Sequence, residues 1–527
     1  MSVAARPAQS CPTADARAVA AWLGSRLGQG AQLHADSRRL RPGDAFFAWP
    51  GAAADGRLHI DTARSKGASA IVAEAEAPAP SAAHDLYAVR DLRAHAGEIA
   101  SYFYGEPSAR LQLIAVTGTN GKTSCAHWLA QGLARSGRRS ALIGTLGSGL
   151  LDDSGVPSLT HFGLTMPDAL SLHAMFAQFL AAGARAVVME ASSIGLHQHR
   201  LSGACPAVAV LTNLSRDHLD YHGSEEAYAQ AKLLLFRMQG LKAAVLNAED
   251  ALSQRALAVL PEGCRAIVYG SGRTQAMYPK AQHLIATRIG EHPEGLSLEL
   301  DGDFGKAELK LPLLGRFNAM NALAVAAGWL ALDVPFAQAV SQLERLQPVP
   351  GRLERVSADS ADGGSLAAAV SAESTGPCVV VDYAHTPDAL EKVLDALRPL
   401  AVSRAGRLWC VFGAGGERDA GKRPQMGSVA SRLADLVVLT SDNPRSESPH
   451  AILNEIAGGL SRPAHLVQAD RREAIRSAVA QARPQDVVLI AGKGHERWQE
   501  LASARVPFDD VAEARAALKL RSGATHA

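Results

Sequence analysis

Residues 111–123, LQLIAVTGTNGKT, constrain this chain more than any other stretch. The apolar run 113–116 has the length and β-branched content of a buried parallel strand. It breaks at Thr117 into Gly118, Thr119, Asn120 and Gly121, and Lys122 and Thr123 follow. Behind them Cys125, Trp128, Leu129 and Leu133 recur at helical spacing. Strand, glycine-rich turn and helix in that order predict a phosphate cradle. Glycine lets backbone N–H groups approach an anion, and the helix N-terminus adds its dipole. Lys122 is placed to reach the outer phosphates, and the Thr123 hydroxyl to ligate Mg²⁺. The usual G-x-x-x-x-G-K-[ST] loop needs glycine where this chain has Val116, so the loop is a shortened relative.

A chain of 527 residues is too long for one core. The expected division is three α/β domains: a small one over 1–110, a central one over 111–346 and a last one over 347–527. Lys and Arg number 53 against 52 for Asp and Glu, which argues against nucleic acid or a membrane surface as partner. No apolar run reaches the roughly 18 residues of a spanning helix, and residues 1–20 lack the apolar core of a signal peptide. Six scattered cysteines without a C-x-x-C pair read as reduced thiols of a cytoplasmic protein.

The first domain reads as a short strand, a Pro42-Gly43 turn and a strand over 45–49, with another over 68–73. From 111 to 346, apolar strands over 140–144, 186–189, 206–211 and 243–246 alternate with helical stretches. That pattern predicts a mostly parallel sheet flanked by helices, of the phosphate-loop type. Ligands bind beyond the carboxyl ends of such strands, where Glu190, Asn213 and Asn247 fall. Residues 347–351 form a hinge, and 357–375, small and polar, a surface insertion. A second, Rossmann-like α/β pattern follows, with strands over 378–381, 408–412, 436–439 and 487–490. Thr386 caps a helix that has Pro387 at its first position and Leu390, Val393, Leu394 and Leu397 as its apolar stripe.

Several clusters carry chemistry. Glu190 opens EASSIGLHQHR. A carboxylate at a strand end suits a Mg²⁺ ligand or an orienter of water on it, or else a helix cap or salt-bridge partner. Ser192, Gln198 and Arg200 follow, and Arg200 suits a phosphate or carboxylate. In TNLSRDHLDYHG, His218 is a candidate metal ligand and His222 a structural ring. Lys232, on the helix EEAYAQAKLLLF, reads from its spacing as a solvated lysine. The loop 412–424, FGAGGERDAGKRP, is glycine-rich and carries Arg418, Lys422 and Arg423. It is either an anion-binding loop or a flexible basic turn. In SDNPR, Asp442 can accept from an ammonium, Asn443 can donate and accept, and past Pro444 the guanidinium of Arg445 offers two prongs to a carboxylate. Glu496 adds a further carboxylate. A triphosphate site plus a zwitterion site points to ATP-driven amide formation through an acyl phosphate.

The segments GTNGKT, EASSIGLHQHR, TNLSRDHLDYHG, GRFNAMN (315–321), PGRLE (350–354), DYAHTPDAL (382–390) and DNPR (442–445) closely resemble the Mur ligase family over nearly the whole chain. The resemblance implies an ATP-dependent acid–amino-acid ligase of cytoplasmic peptidoglycan synthesis, working as a monomer with Mg²⁺. Its implied substrates are UDP-N-acetylmuramoyl-L-alanyl-D-glutamate, meso-diaminopimelate and ATP. Residue by residue, it implies uridine-nucleotide contacts at Ala35, Ser37, Ala52, Ala53 and Ala54. Muramoyl-peptide contacts fall at Thr165, Met166, Ser192, Gln198 and Arg200. ATP contacts fall at Gly118 to Thr123 and at Asn318, Arg352 and Asp382. The implied metal set is Thr123, Glu190, His218 and Lys232, the lysine as a carbamate. Lys122, Glu190, His218 and Lys232 form the implied catalytic set. Arg418, Asp442, Asn443, Pro444, Arg445, Gly492 and Glu496 match the diaminopimelate site. The family commonly has T-T-P where this chain has Thr165-Met166-Pro167, and Met166 supplies no hydroxyl. Diaminopimelate exceeds lysine by one carboxylate, and Arg445 with Asn443 suits that group. Lysine would leave the guanidinium unpaired in a closed site, a loss large enough for strong discrimination.

Overall fold

The computed structural model describes residues 15–51, 54–74, 79–80, 85–272, 276–358, 376–502 and 504–525. The expected insertion at 357–375 and the Ala52 and Ala53 contacts therefore fall largely or wholly outside the described residues. The chain divides into two compact units, Met1–Ala115 with Leu133–Ala207 and Met238–Leu241, and Val116–Gly132 with Val208–Arg237 and Lys242–Ala527.

In the first unit a five-stranded sheet runs in the order Leu33–His34, Ala45–Ala48, Ala70–Glu74, Leu86–Val89, Ala79–Pro80. All its pairs are parallel except the last. Period-two alternation divides the strands between two cores. Ala45, Phe47, Ala70 and Val72 face the helices Ala16–Gly24 and Leu92–Phe103, while Phe46, Ala48, Ile71 and Ala73 form the opposite face. Leu170, from the helix Ala169–Ala181, joins the first of these cores. The strands Ser140–Gly144 and Ala186–Glu190 pair in parallel, and Gly147–Leu150 returns antiparallel on the former.

In the second unit Val208–Leu211, Ala243–Asn247, Arg265–Ser271 and Gln282–His292 pair in parallel, in chain order. Sequence alternation predicts the first two of these as helix-flanked strands and names neither of the other two. It does not foresee that Gly295–Gly302 and Ala307–Leu311 continue from them as an antiparallel meander. The helix Arg316–Leu330 is buried nearly all round, and the Trp329 indole donates to Leu129 O at 3.1 Å.

The last sheet orders Glu354–Val356, Cys378–Asp382, Val487–Ala491, Leu408–Phe412, Leu436–Leu439, Leu466–Val467, and only the first strand is antiparallel. The helix Pro387–Ser403 begins as its residues dictate: Thr386 accepts from the Ala389 N–H, and Pro387 fills the first turn. Because the inner strands are parallel, the loops after Asp382, Phe412, Leu439 and Ala491 share one end of the sheet. Among the described residues no helix is long and apolar enough to cross a membrane, and Cys125, Cys205, Cys264, Cys378 and Cys410 are free thiols.

Candidate active site

The strand Gln112–Thr117 delivers the loop 118–121 to the start of the helix Lys122–Arg135. Two glycines are required there. Gly118 has φ +146° and Gly121 φ +83°, and a Cβ would lie 1.9 Å from Thr212 Oγ1 at the first and 2.4 Å from Asn321 Oδ1 at the second. The segment 212–215 braces the loop. Thr212 Oγ1 donates to Asn120 O at 2.6 Å, Asn213 Oδ1 accepts from the Asn120 N–H at 3.0 Å, and Ser215 N–H donates to Thr119 Oγ1 at 2.9 Å. Lys122 Nζ donates to the carbonyls of Gly118 (2.9 Å) and Thr119 (2.8 Å).

Lys232 overturns the solvated reading that its spacing suggests. The helix Glu225–Phe236 buries Tyr228, Ala231, Lys232, Leu235 and Phe236, so Lys232 is only 1% exposed. Its Nζ donates to Gly118 O at 2.8 Å and sits 4.1 Å from the centre of the Tyr228 ring. Burial, then the charge of Lys122, pushes the amine well below the ordinary lysine value. The Tyr228 hydroxyl lies 3.0 Å from Thr119 Oγ1, so one side chain braces both the loop and the amine. Tyr228 has no signal in the sequence beyond its place four residues before Lys232.

His218 has a left-handed backbone, φ +53°, and its Nε2 lies 3.5 Å from Asp217 Oδ2. Burial pushes the ring down to about 4, against the pull of Asp217, so it is a neutral imidazole near pH 7. Asp217 also faces His385, 3.8 Å away. Burial alone would raise that carboxyl, but the hydrogen bond from His385 and the charges of His218, His385 and Lys422 outweigh it and hold it far below the usual carboxylate range. His222 packs edge-on against Tyr221 and beside Tyr228, as a structural ring should.

In the same unit the last sheet's loops reach these elements. Asn120 Nδ2 donates to Asp388 at 2.8 Å, Arg216 pairs with Asp419 at 3.1 Å, and Arg418 meets Asp220 at 3.4 Å. Arg352 Nη2 donates to Thr123 Oγ1 at 3.3 Å, and its guanidinium lies 4.4 Å from the Tyr383 ring centre. Asp382 is buried and accepts from the N–H groups of Leu353 and Ala384. Asn318 donates to Leu314 O, and its Oδ1 accepts from Asn321, the side chain that faces Gly121.

The SDNPR segment lies at the shared loop end. Arg445 Nη1 donates to Gly416 O at 2.7 Å and its Nε pairs with Glu500 at 3.0 Å. Asp442 and Asn443 are each 6% exposed, and Asn443 Nδ2 donates to Glu496 at 2.8 Å. Gly492, φ +118°, leaves room for Asp442: a Cβ there would meet Asp442 Oδ2 at 2.6 Å. Pro444 O accepts from the Glu447 N–H. Arg423 is a correction to the anion-loop expectation. It is 2% exposed and ion-paired to Glu447 and Glu455, which makes it a buttress of the loop.

The remaining expected residues belong to the first unit. Glu190 is buried and accepts from Thr145 N–H (2.7 Å) and Oγ1 (3.1 Å), and Thr145 Oγ1 also meets Thr165 at 3.2 Å. The capping role considered for Glu190 falls to Ser192, whose Oγ accepts from the Gly195 N–H. Arg200 donates to Gln198 Oε1 and, at 2.6 Å, to the carbonyl of Met166. The Met166 side chain is fully buried and packs toward Gly195, which leaves its backbone groups as the ones that could meet a ligand. Ser37 O accepts from Lys66 at 2.9 Å, Ala35 packs on the first-unit core, and Ala54 O closes a turn with the Gly51 N–H. Among the described residues no three His, Cys, Asp or Glu side chains gather as a self-sufficient metal cluster.

Three family models match the chain: the Mur ligase middle domain over residues 116–328, the Mur ligase glutamate ligase domain over 369–494, and the Mur ligase family catalytic domain over 31–104. The chain is 45% identical over 527 residues to the UDP-N-acetylmuramoyl-L-alanyl-D-glutamate–2,6-diaminopimelate ligase of Ralstonia nicotianae, covering 97% of this chain and 98% of the relative. It is 44% identical to the protein of the same name from Coxiella burnetii, over 92% of this chain and 95% of the relative. A solved structure of a ligase of that name superposes with TM-score 0.63 at 35% identity, covering 93% of this chain and 95% of its own. The MurF ligase of Thermotoga maritima in complex with ADP shares the fold with TM-score 0.61 at 18% identity, over 94% and 98% of the two chains.

Proposed function

The chain belongs to the Mur ligase family, and from that premise we propose that it joins meso-2,6-diaminopimelate to the D-glutamyl carboxylate of UDP-N-acetylmuramoyl-L-alanyl-D-glutamate at the expense of ATP. Relatives that carry that name match it over nearly their full length. Residues 1–110 hold the uridine nucleotide through Ala35, Ser37 and Ala52 to Ala54. Residues 111–346 hold ATP, and 347–527 hold the amino acid.

The observation that supports the reading is that the phosphate-loop segment and the SDNPR segment, to which we assign ATP and the amino acid, lie within one compact unit. The loop carrying Gly416, which holds Arg445, also carries Arg418 and Asp419, and these reach Asp220 and Arg216 of the segment following the phosphate-loop braces. An acid activated at the first set is thereby presented to an amine held by the second. That one polypeptide supplies both sets supports a monomer, and dependence on ATP supports a cytoplasmic location.

Lys122 neutralises the γ-phosphoryl group as it moves to the glutamyl carboxylate. The incoming amine then displaces inorganic phosphate from the acyl phosphate to form the amide. Asp442 and Glu496 receive the ammonium of diaminopimelate, and Arg445, Asn443 and Arg418 its carboxylates. Thr165, Ser192, Gln198 and Arg200 serve the muramoyl peptide, with Met166 contributing only its backbone.

Mg²⁺ fits the residues by the chemistry of the donors: a hydroxyl at Thr123, a carboxylate fixed by Thr145 at Glu190, and a neutral imidazole at His218. Lys232 adds an amine whose charged form is disfavoured by burial, and as the free amine it would combine with CO₂ to a carbamate, releasing a proton and gaining an anionic oxygen. When bound, the ion offsets charge on the transferring phosphoryl group.

Purified protein is assayed for phosphate release with ATP, UDP-N-acetylmuramoyl-L-alanyl-D-glutamate and, separately, meso-diaminopimelate, lysine or D-alanyl-D-alanine. Release is expected with diaminopimelate. ATP turnover indifferent to the amine, or lysine used as readily, refutes the reading.

A further inference from the structure

Lys493 lies in the loop after the strand Val487–Ala491 and is completely buried. Its Nζ donates to Asn443 Oδ1 at 2.9 Å and to Glu496 Oε2 at 3.0 Å, and lies 4.0 Å from Asp442 Oδ1. A buried ammonium facing three members of the expected amino-acid pocket is more than a packing element. We propose that Lys493 is a positioning residue that sets the donor–acceptor polarity of that pocket, and hence its preference for a substrate with a second carboxylate. The inference rests on the ligase reading given above.

The reasoning starts from Asn443. A free amide can turn either end toward a ligand, since oxygen and nitrogen have nearly the same shape. Here the oxygen faces two groups that can only donate, the Lys493 ammonium and the Glu500 backbone N–H at 3.0 Å. Both oxygen lone pairs are used by those contacts. The amide nitrogen gives one hydrogen to Glu496 Oε2 at 2.8 Å and keeps one. Asn443 can therefore offer a ligand only a donor. It recognises a carboxylate oxygen and cannot accept from an ammonium.

Asp442 and Glu496 are left as the acceptors for an ammonium. The zwitterionic end of the amino acid is thus read in one orientation, with its carboxylate toward Asn443 and Arg445. Lys493 also stands between two carboxylates that would otherwise repel each other in a buried place. Without its ammonium the Asn443 amide loses its main reason to face one way, and the pocket loses its distinction between donor and acceptor sides.

The test uses full-length protein with Lys493→Met, which keeps length and bulk, and Lys493→Arg, which keeps a cationic donor. Initial rates of phosphate release are measured while diaminopimelate, ATP and the uridine substrate are varied in turn, and again with lysine as the amine. For Lys493→Met the KM for diaminopimelate should rise at least tenfold, with the KM for ATP within twofold of the parent. The kcat/KM ratio of diaminopimelate to lysine should fall at least tenfold, and Lys493→Arg should recover part of each loss. Asn443→Asp keeps an oxygen for Lys493 but has no N–H, and it should lose diaminopimelate in the same way. This second variant decides the matter if Lys493→Met does not fold.

An unchanged KM for diaminopimelate in Lys493→Met or in Asn443→Asp overturns the inference. So does a parallel rise in the KM values for diaminopimelate and ATP, which would mark general damage. A parent protein that releases no phosphate with any amine overturns the ligase reading itself, and this inference with it. A parent active on diaminopimelate beside indifferent variants overturns this inference alone.

Discussion

Replacing Gly118 by alanine tests whether the phosphate loop depends on a backbone that only glycine tolerates. The added Cβ would lie 1.9 Å from Thr212 Oγ1 and 3.0 Å from both Asn213 N and O, at φ +146°. Three costs combine. A side chain held in that region of φ costs about 1–3 kcal/mol. Overpacking a filled site costs about 1–3 kcal/mol more. Thr212 Oγ1 can move aside only by giving up its 2.6 Å bond to Asn120 O, worth about 1 kcal/mol. The sum is about 5 kcal/mol, and a loop that must recover its shape to bind loses affinity by about 10³- to 10⁴-fold. Calorimetric titration with a non-hydrolysable ATP analogue measures it in the parent, Gly118→Ala, Thr212→Ala and the double variant. If the hydroxyl is the obstacle, the double variant binds better than the two single losses sum to, with a coupling of about 1–3 kcal/mol. Affinity within threefold of the parent for Gly118→Ala, or losses additive within about 0.5 kcal/mol, refutes the reasoning.

Three further outcomes are expected. Arg445→Ala should lower kcat/KM for diaminopimelate by about 10²-fold or more while leaving ATP affinity in place, and normal kcat/KM would end the specificity argument. Arg471 and Asp510 are both fully buried and joined by two 2.7 Å bonds, and Arg471 also donates to Ser441 O and Ala491 O. Arg471→Met alone should cost about 3–5 kcal/mol in denaturant unfolding, and Arg471→Met with Asp510→Leu much less, because only the single variant strands a buried charge. A single-variant loss below about 1 kcal/mol would contradict this. His173 is fully buried against Ser202 O, and burial pushes its ring from 6.5 down to about 4. The unfolded chain therefore takes up a proton below about pH 6.5 that the folded chain refuses until about pH 4. The stability this gives is whole above 6.5 and falls with pH, by about 1 kcal/mol at pH 5.5. Denaturant midpoints at pH 7.5 and 5.5 should differ less in His173→Gln than in the parent, and an equal difference refutes the assignment.

Local features were legible from residues alone. The strand, glycine turn and helix around Lys122 need only neighbours in sequence, as does the Thr386 cap with Pro387 behind it. The parallel strands ending at Glu190, Asn247 and Asp382 were readable from apolar runs bounded by polar ends. Lys232 was not, because its helix is buried on more than one face and no amphipathic stripe marks which side is wet. Arg423 misled for a related reason. Its charge suggested an anion loop, but its partners Glu447 and Glu455 lie 24 and 32 residues away and no local pattern announces them. The antiparallel meander over 282–311 was missed because the alternation of strands and helices before it suggested more of the same. Lys493 stood in view beside Glu496, yet only side-chain directions reveal that it grips Asn443.

The bond from Arg352 to Thr123 has a consequence for how ligands influence one another. The threonine oxygen accepts from a guanidinium that also lies over the ring of Tyr383, in the loop after the strand Cys378–Asp382, so a ligand that displaces Arg352 from that oxygen also loosens a contact between the loop and the 347–527 segment. On the proposed assignment, loop occupancy and the grip of the 347–527 segment on the loop are linked variables, and linkage is reciprocal: a nucleotide that weakened this contact would be weakened in equal measure by an amino acid whose binding strengthened it.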